Sequence, residues 1–95
     1  MPASVIADVE VTDPDGFEAY RQLAIPTLGM YGGRVRASGG EIEALEGDWT
    51  PTRLAIVEFG SLERAQQWYH SAEYAEAKSA LHRTARANLI LIDGS

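Results

Sequence analysis

Alternating polar and apolar positions, with one short aliphatic run, mark four regions of this chain as β-structure. They are Ser4–Val11, a middle region made of Arg34–Ser38 and Glu41–Glu46, the most apolar stretch Arg53–Phe59, and Leu89–Ile92 before Asp93-Gly94. The middle region contains Gly39-Gly40, which indicates a bend or a bulge, because two glycines weaken strand pairing and permit a sharp change of direction. The pattern leaves open whether this pair bends one long strand or separates two.

Two regions between these strands have the three- and four-residue spacing of amphipathic helices. The first follows Thr12-Asp13-Pro14, a capping side chain with proline at the first helical position, and it ends at Gly32-Gly33. Pro26 lies inside it and removes one backbone donor, so we expect either a kink or a short second helix that begins there. The second region begins at a Ser61 cap, and Ser71 is predicted to cap a further helical stretch.

The resulting order, β-α-β-β-α-β, predicts an α+β fold: a ferredoxin-like sandwich with a four-stranded antiparallel sheet and both helices on one face. From the handedness of crossover connections, we expect the first and third strands side by side in the middle and parallel to each other. The other face of the sheet is then uncovered. Its predicted residues are Ile6, Asp8, Glu10, Leu54, Ile56, Glu58 and either Ile90 or Leu91. An aliphatic face of this kind is large enough to bring two copies together.

Length and composition restrict the class of protein. The 95 residues suit one domain, residues 1–95, and the absence of cysteine excludes disulfides and thiolate chemistry. A net charge of −6 without a Lys or Arg cluster argues against nucleic acid and anionic membranes as partners. The N-terminal residues do not look like a signal peptide and the aliphatic runs are too short to span a bilayer, so we expect a cytoplasmic protein.

Several short motifs resemble one known family over essentially the whole chain. They are Ile6–Pro14, Tyr31–Arg34, Gly39–Glu41, Leu45–Trp49, Glu58-Phe59 and Trp68–Tyr74. The family is catalogued as domain of unknown function 1330 and belongs to the dimeric α+β barrel superfamily. The resemblance implies a homodimer in which two ferredoxin-like protomers join their sheet faces. It implies no single reaction, since the superfamily includes cofactor-independent quinol monooxygenases, haem-degrading monooxygenases, lactone isomerases and effector-binding domains.

Polar residues at strand positions that should be dry are the candidates for chemistry. Asp8 and Glu58 are candidate catalytic residues, because carboxylates held in a low-dielectric cleft are common acid-base groups. The candidate substrate-binding residues are Glu10, Arg34, Arg36, Arg53, Tyr20, Trp68 and Tyr69. The alternative for the charged residues is that they form Arg–carboxylate pairs which fix the register of a dimer, or are solvated at its rim. The alternative for the aromatic residues is a place in the core, which their helical spacing favours.

Histidine and tryptophan supply the remaining candidates. His70 is a candidate general base, although it precedes the Ser71 cap, and His82 lies in a last helical turn where imidazoles commonly bond free carbonyls. Their spacing gives no metal signal, so we predict neither a metal nor a cofactor. We do not expect haem chemistry in this protein. The haem-degrading members of the superfamily use an axial histidine, and no histidine lies on a predicted strand here. Trp49 lies in a turn that is predicted to cover a partner subunit or a pocket mouth.

Two functions fit these residues. The first is a small-molecule site in a cleft between sheet and helices, with Asp8, Glu58 and Arg36 in polar roles. The protein would then be a cofactor-independent enzyme, monooxygenase-like or isomerase-like, acting on a small aromatic or carbonyl compound. The alternative is a non-catalytic homodimer that binds a small organic ligand or another protein, in which the same residues hold the interface. The sequence leaves both open.

Overall fold

The computed structural model describes residues 2–94 of the chain. In chain order the strands are β1 (Ala3–Val11), β2 (Arg34–Ser38), β3 (Leu54–Phe59) and β4 (Ala85–Asp93). The helices are α1 (Pro14–Met30), which follows β1, and α2 (Leu62–Tyr69) and α3 (Ala72–Thr84), which follow β3. The predicted order of elements is therefore confirmed, with the second helical region divided in two next to Ser71.

The sheet has the strand order β2-β3-β1-β4, and each neighbouring pair runs antiparallel. This confirms the antiparallel ferredoxin-like fold with β1 and β3 in the middle. The prediction that β1 and β3 are parallel is wrong, since Ala3 pairs with Phe59 and Asp8 pairs with Leu54. The crossover through α1 makes β1 parallel to β2, and β3 returns from β2 in the opposite direction into the space between them.

Local sequence signals set the beginnings of the helices. Asp13, Ser61 and Ser71 are the N-cap residues of α1, α2 and α3, and each side chain accepts the backbone N–H three residues further on. Helix α1 continues past Pro26 to Met30, so a second helix beginning at Pro26 is wrong. Pro26 lies on the exposed side of α1, where water can bond the carbonyl group that the proline leaves without a donor.

The predicted strand Glu41–Glu46 is wrong, because residues 39–53 contain no helix or strand. Gly39 and Gly40 have φ values of 74° and 84°, a left-handed conformation that ends β2 and turns the chain away from the sheet. On the apolar side of the predicted alternation, Ala44 is exposed and Ile42 is only half-buried, so neither packs into the core as a strand residue would. A polar-apolar alternation forms a strand only where a neighbouring strand supplies the hydrogen bonds.

The helices cover one face of the sheet, and the core lies between the two layers. Its main cluster contains Val5, Ala24, Leu28, Phe59, Ala65, Trp68, Tyr74 and Ala77, and a smaller cluster contains Val9, Phe17, Leu81 and Ala85. Each helix contributes residues to these clusters, which confirms the amphipathic spacing predicted for the two helical regions. Among the described residues, no helix is both long and apolar enough to cross a membrane.

The other face of the sheet is uncovered, and we call it the open face. In β4, Ile90 and Ile92 are exposed by 60% and 53%, whereas Leu91 packs against the core, which decides between the two predicted alternatives in favour of Ile90. The open face contains Ser4, Ile6, Asp8, Glu10, Leu54, Ile56, Glu58, Arg86, Asn88, Ile90 and Ile92. Strand β4 begins at Ala85, earlier than the predicted Leu89, because it pairs with β1 along its whole length.

Candidate functional site

A cleft of about 320 Å³ opens between α1 and the helix-covered face of the sheet. Alanines face it from three elements, Ala7 of β1, Ala24 of α1 and Ala55 of β3, and leave space that longer side chains would fill. The rest of the wall is largely aliphatic, with Val9, Leu28, Val35, Val57, Leu81 and Leu89. An apolar cavity of this size between two layers of a fold is typical of a small-molecule site. We refer to this cavity as the cleft.

Two polar side chains meet the cleft beside the ring of Phe17. The guanidinium carbon of Arg53 lies 5.2 Å from the centre of the Phe17 ring, which is a cation–π distance. The ring centre of Tyr20 lies 5.4 Å from that of Phe17. Among residues 2–94, no carboxylate forms an ion pair with Arg53. The positive charge of Arg53 is therefore available to a bound molecule.

Tyr20 connects the cleft to the interior of the protein. Its hydroxyl oxygen lies 3.0 Å from that of Tyr74, a residue without exposed surface. Burial raises the pKa of both tyrosines, and for Tyr74 the neighbouring Tyr20 raises the pKa further. Both hydroxyl groups therefore keep their protons at neutral pH and act as hydrogen-bonding groups.

The predicted carboxylates lie on the open face, on the other side of the sheet from the cleft. Asp8 Oδ2 accepts a hydrogen bond from Trp49 Nε1 at 3.1 Å, and Glu10 Oε1 lies 3.7 Å from Arg86 Nη1. Glu58 is also on this face. The expectation that Asp8 and Glu58 supply polar groups to a cleft between sheet and helices is therefore wrong in its geometry, because the sheet separates them from it.

Arg36 reaches Glu58 because β2 has one extra residue. The register of β2 against β3 shifts between Val35 and Ala37, which makes Arg36 the bulged residue. Its Nη2 donates to Glu58 Oε1 at 2.8 Å, and Arg34 lies opposite Glu58 in the register. Within one chain, Glu58 and Glu10 are thus ion-paired with arginines, and Asp8 is hydrogen-bonded to Trp49. Exposed pairs of this kind contribute about 1 kcal/mol or less to stability.

His70 and Tyr69 border a second cavity of about 330 Å³, between α2 and the edge strand β4. The imidazole of His70 stands edge-on to the Tyr69 ring, with ring centres 5.1 Å apart, and Lys78 Nζ lies 3.9 Å from the centre of that ring. Trp68 is a core residue instead, and its indole N–H donates to Thr27 Oγ1 at 2.9 Å. None of these three predicted residues lines the cleft.

Of the predicted site residues, the structure brings Tyr20 and Arg53 to the cleft and leaves the others elsewhere. Phe17 and Tyr74 also shape the site, although neither is among the residues predicted for it. The position of Arg53 could have been predicted from the alternation of the strand. Arg53 is two residues before Ala55, so both side chains lie on the helix-covered face. Within residues 2–94, no three His, Asp or Glu side chains come together to hold a metal ion.

The antiparallel sheet, the helices on one face and the cleft between them define a small α+β protein with a ferredoxin-like fold. The chain belongs to the family described as Domain of unknown function (DUF1330), whose model matches residues 2–95. The family resemblance carried by the sequence motifs is confirmed. No curated protein matches the chain.

Solved structures share this fold at low sequence identity. A protein of unknown function from Rhodopseudomonas palustris superposes with a TM-score of 0.81 at 19% identity, covering 99% of this chain and 82% of that one. SnoaB, a cofactor-independent oxygenase from Streptomyces nogalater, gives 0.74 at 11% identity, with coverages of 99% and 93%. HapK from Hahella chejuensis gives 0.65 at 13% identity, with coverages of 98% and 92%.

Proposed function

We propose that this protein is a homodimer in which each protomer binds a small aromatic or carbonyl compound in the cleft. The observation that carries the proposal is the make-up of the cleft, an apolar space of about 320 Å³ that Tyr20 and Arg53 border beside Phe17. Within residues 2–94, Arg53 has no carboxylate partner. Sites for small organic molecules combine a mainly apolar lining with a few placed polar groups. The apolar wall would hold the body of the compound, and the polar groups would orient it.

The open face supports the homodimer. Ile6 pairs with Ile56 on one side and with Ile90 on the other, so isoleucines from three neighbouring strands form a continuous apolar patch. Packing two such patches together removes them from water, which is the main favourable contribution to association. The family resemblance implies the same pairing. The Arg36–Glu58 ion pair borders this patch and would then help to fix the register of the two sheets.

A second candidate function is a cofactor-independent enzyme, monooxygenase-like or isomerase-like, that acts on the same class of compound. Its support is the fold shared with SnoaB, which is a cofactor-independent oxygenase. The residues predicted to act as acid or base, Asp8, Glu58 and His70, lie outside the cleft. Ligand binding is therefore the function that the geometry favours, and catalysis would have to use Tyr20 or Arg53.

An NMR titration with acetophenone, monitored through the amide resonances of the protein, tests the binding proposal. We expect shifts at Phe17 and Leu81, which line the cleft. Ala55→Leu places a larger side chain in the cleft and should abolish these shifts, whereas Ala75→Leu, on the exposed side of α3, should retain them. Unchanged binding by Ala55→Leu, or shifts confined to the cavity beside His70, would show that the proposal is wrong.

A further inference from the structure

The hydroxyl group of Tyr74 has one hydrogen-bond partner in the described part of the chain, the hydroxyl of Tyr20. Tyr74 has no exposed surface, so water does not reach this hydroxyl. Each phenol carries one proton, and a single hydrogen bond joins the two oxygens. If Tyr20 donated, the proton of Tyr74 would be buried without an acceptor, which is unfavourable. The favoured arrangement is the one in which Tyr74 donates and Tyr20 accepts.

This direction determines what Tyr20 offers to the cleft. After accepting the bond from Tyr74, the Tyr20 hydroxyl still has its own proton, which has to point away from Tyr74. Tyr20 is only half-buried, and the space beside it is the cleft. Of the two tyrosines, Tyr20 is the one that lines the cleft, so the proton that its hydroxyl keeps is the donor that the pair can offer there.

We infer that the cleft selects compounds whose polar group accepts hydrogen bonds, a carbonyl or an anionic oxygen, over compounds whose polar group only donates. The selecting groups are the hydroxyl of Tyr20, whose ring lies next to that of Phe17, and the guanidinium of Arg53, which lies over the Phe17 ring. An arginine side chain has five N–H donors and no acceptor. The Ser38 hydroxyl, which also borders the cleft, donates or accepts equally well and sets no preference.

In this arrangement Tyr74 is a positioning residue, because it acts on the bound compound only through Tyr20. Arg21, the other cation at the cleft, already bonds Glu18 Oε2 at 3.2 Å and adds no acceptor of its own. The inference rests on the proposed function, since it specifies the polar group of a compound that the cleft is proposed to bind.

Four benzene derivatives of similar size test the inference by NMR titration: acetophenone, benzoate, ethylbenzene and benzylammonium. We expect dissociation constants for acetophenone and benzoate about tenfold below that of ethylbenzene, the effect of one net hydrogen bond, and no binding of benzylammonium. Equal affinity for all four would overturn the inference but leave the proposed binding intact. No cleft shifts with any of them would overturn the proposed function and the inference with it.

Variants separate the contributions of the two tyrosines. Tyr20→Phe should reduce the preference for acetophenone over ethylbenzene to about threefold or less, since one of the two donors is lost. Tyr31→Phe is the matched control, because it removes a hydroxyl that bonds Glu73 on the surface, and it should keep the wild-type preference. An unchanged preference in Tyr20→Phe would overturn the role of Tyr20.

Tyr20→Phe leaves the Tyr74 hydroxyl without a partner, so the double variant Tyr20→Phe/Tyr74→Phe provides the same test without a buried unpaired group. It should show the low preference of Tyr20→Phe. Tyr74→Phe alone leaves Tyr20 free to turn its proton away from the cleft. Its preference should therefore fall between the wild-type and Tyr20→Phe values, while its affinity for ethylbenzene stays unchanged. A wild-type preference in Tyr74→Phe would contradict the positioning role.

Discussion

The indole N–H of Trp68 donates to Oγ1 of Thr27 at 2.9 Å, and this hydroxyl in turn donates to the carbonyl oxygen of Ala24 at 2.6 Å. Both side chains are buried, Trp68 in the centre of the core and Thr27 on the inner side of α1. A buried tryptophan needs a partner for its one polar atom, and a threonine in the facing helix supplies it. This contact links α1 to α2 through the core.

Thr27→Val should therefore destabilise the protein by about 1–3 kcal/mol, because it keeps the shape of the side chain but leaves the Trp68 N–H without an acceptor. The free energy of unfolding, measured by urea denaturation, checks this expectation. Thr50→Val, in the exposed segment between β2 and β3, is the control and should change stability by less than about 0.5 kcal/mol. Equal stability of Thr27→Val and wild type would contradict the prediction.

Elements that depend on neighbouring residues were predictable from the sequence. The caps Asp13, Ser61 and Ser71 act within three residues, and the alternation of β1 reports directly which side chains face the helices. The wrong prediction of a strand at Glu41–Glu46 arose because strand formation depends on a distant segment of the chain. The alternation of residues 41–46 is as regular as that of a strand, but pairing depends on a partner elsewhere in the chain, which local pattern does not reveal.

The candidate site was less predictable because its contacts join distant segments. Tyr20 and Tyr74 are brought together by the packing of α1 on α3, and nothing in the sequence around either residue indicates the other. The carboxylates were assigned to the cleft by their chemistry alone. Strand parity already places Asp8 on the face opposite Val9, so a stricter use of that rule would have separated Asp8 from the cleft.

Gly33 and Gly29 provide a matched pair of predictions. A Cβ atom at Gly33 would lie 2.8 Å from Cε1 of the buried Phe59 ring, whereas one at Gly29 meets nothing within 4 Å. Gly33→Ala should destabilise by about 1–3 kcal/mol through this overlap. Gly29→Ala, within α1, should stabilise by about 0.5–1 kcal/mol because alanine favours the helix. Thermal unfolding of both variants checks the signs, and equal effects would contradict the close approach to Phe59.

The tyrosine pair predicts a limit to stability at alkaline pH. Burial raises the pKa of Tyr20 and Tyr74 in the folded protein above the ordinary value of about 10. Because these pKa values are raised in the folded state, the contribution of the two tyrosines to the free energy of unfolding is fully present below pH about 10. It is lost as the pH rises through their folded-state pKa values. The melting temperature of wild type should therefore fall more steeply above pH about 10 than that of Tyr20→Phe/Tyr74→Phe. Parallel melting curves for the two proteins in this range would contradict the assignment.

The open face predicts how a single charge affects assembly. Ile90→Lys places a lysine in the apolar patch of each copy, so a dimer formed through this face would bury two charges without partners. We expect its dissociation constant to rise on the order of 100-fold, measured by sedimentation equilibrium. Met30→Lys, equally exposed but at the end of α1, is the control and should leave the dimer intact. Because Ile90 is largely exposed in one chain, the folded protomer itself should be unaffected. A wild-type protein that sediments as a monomer at micromolar concentration, or a dimer that Ile90→Lys leaves unchanged, would show that the two sheets do not pair.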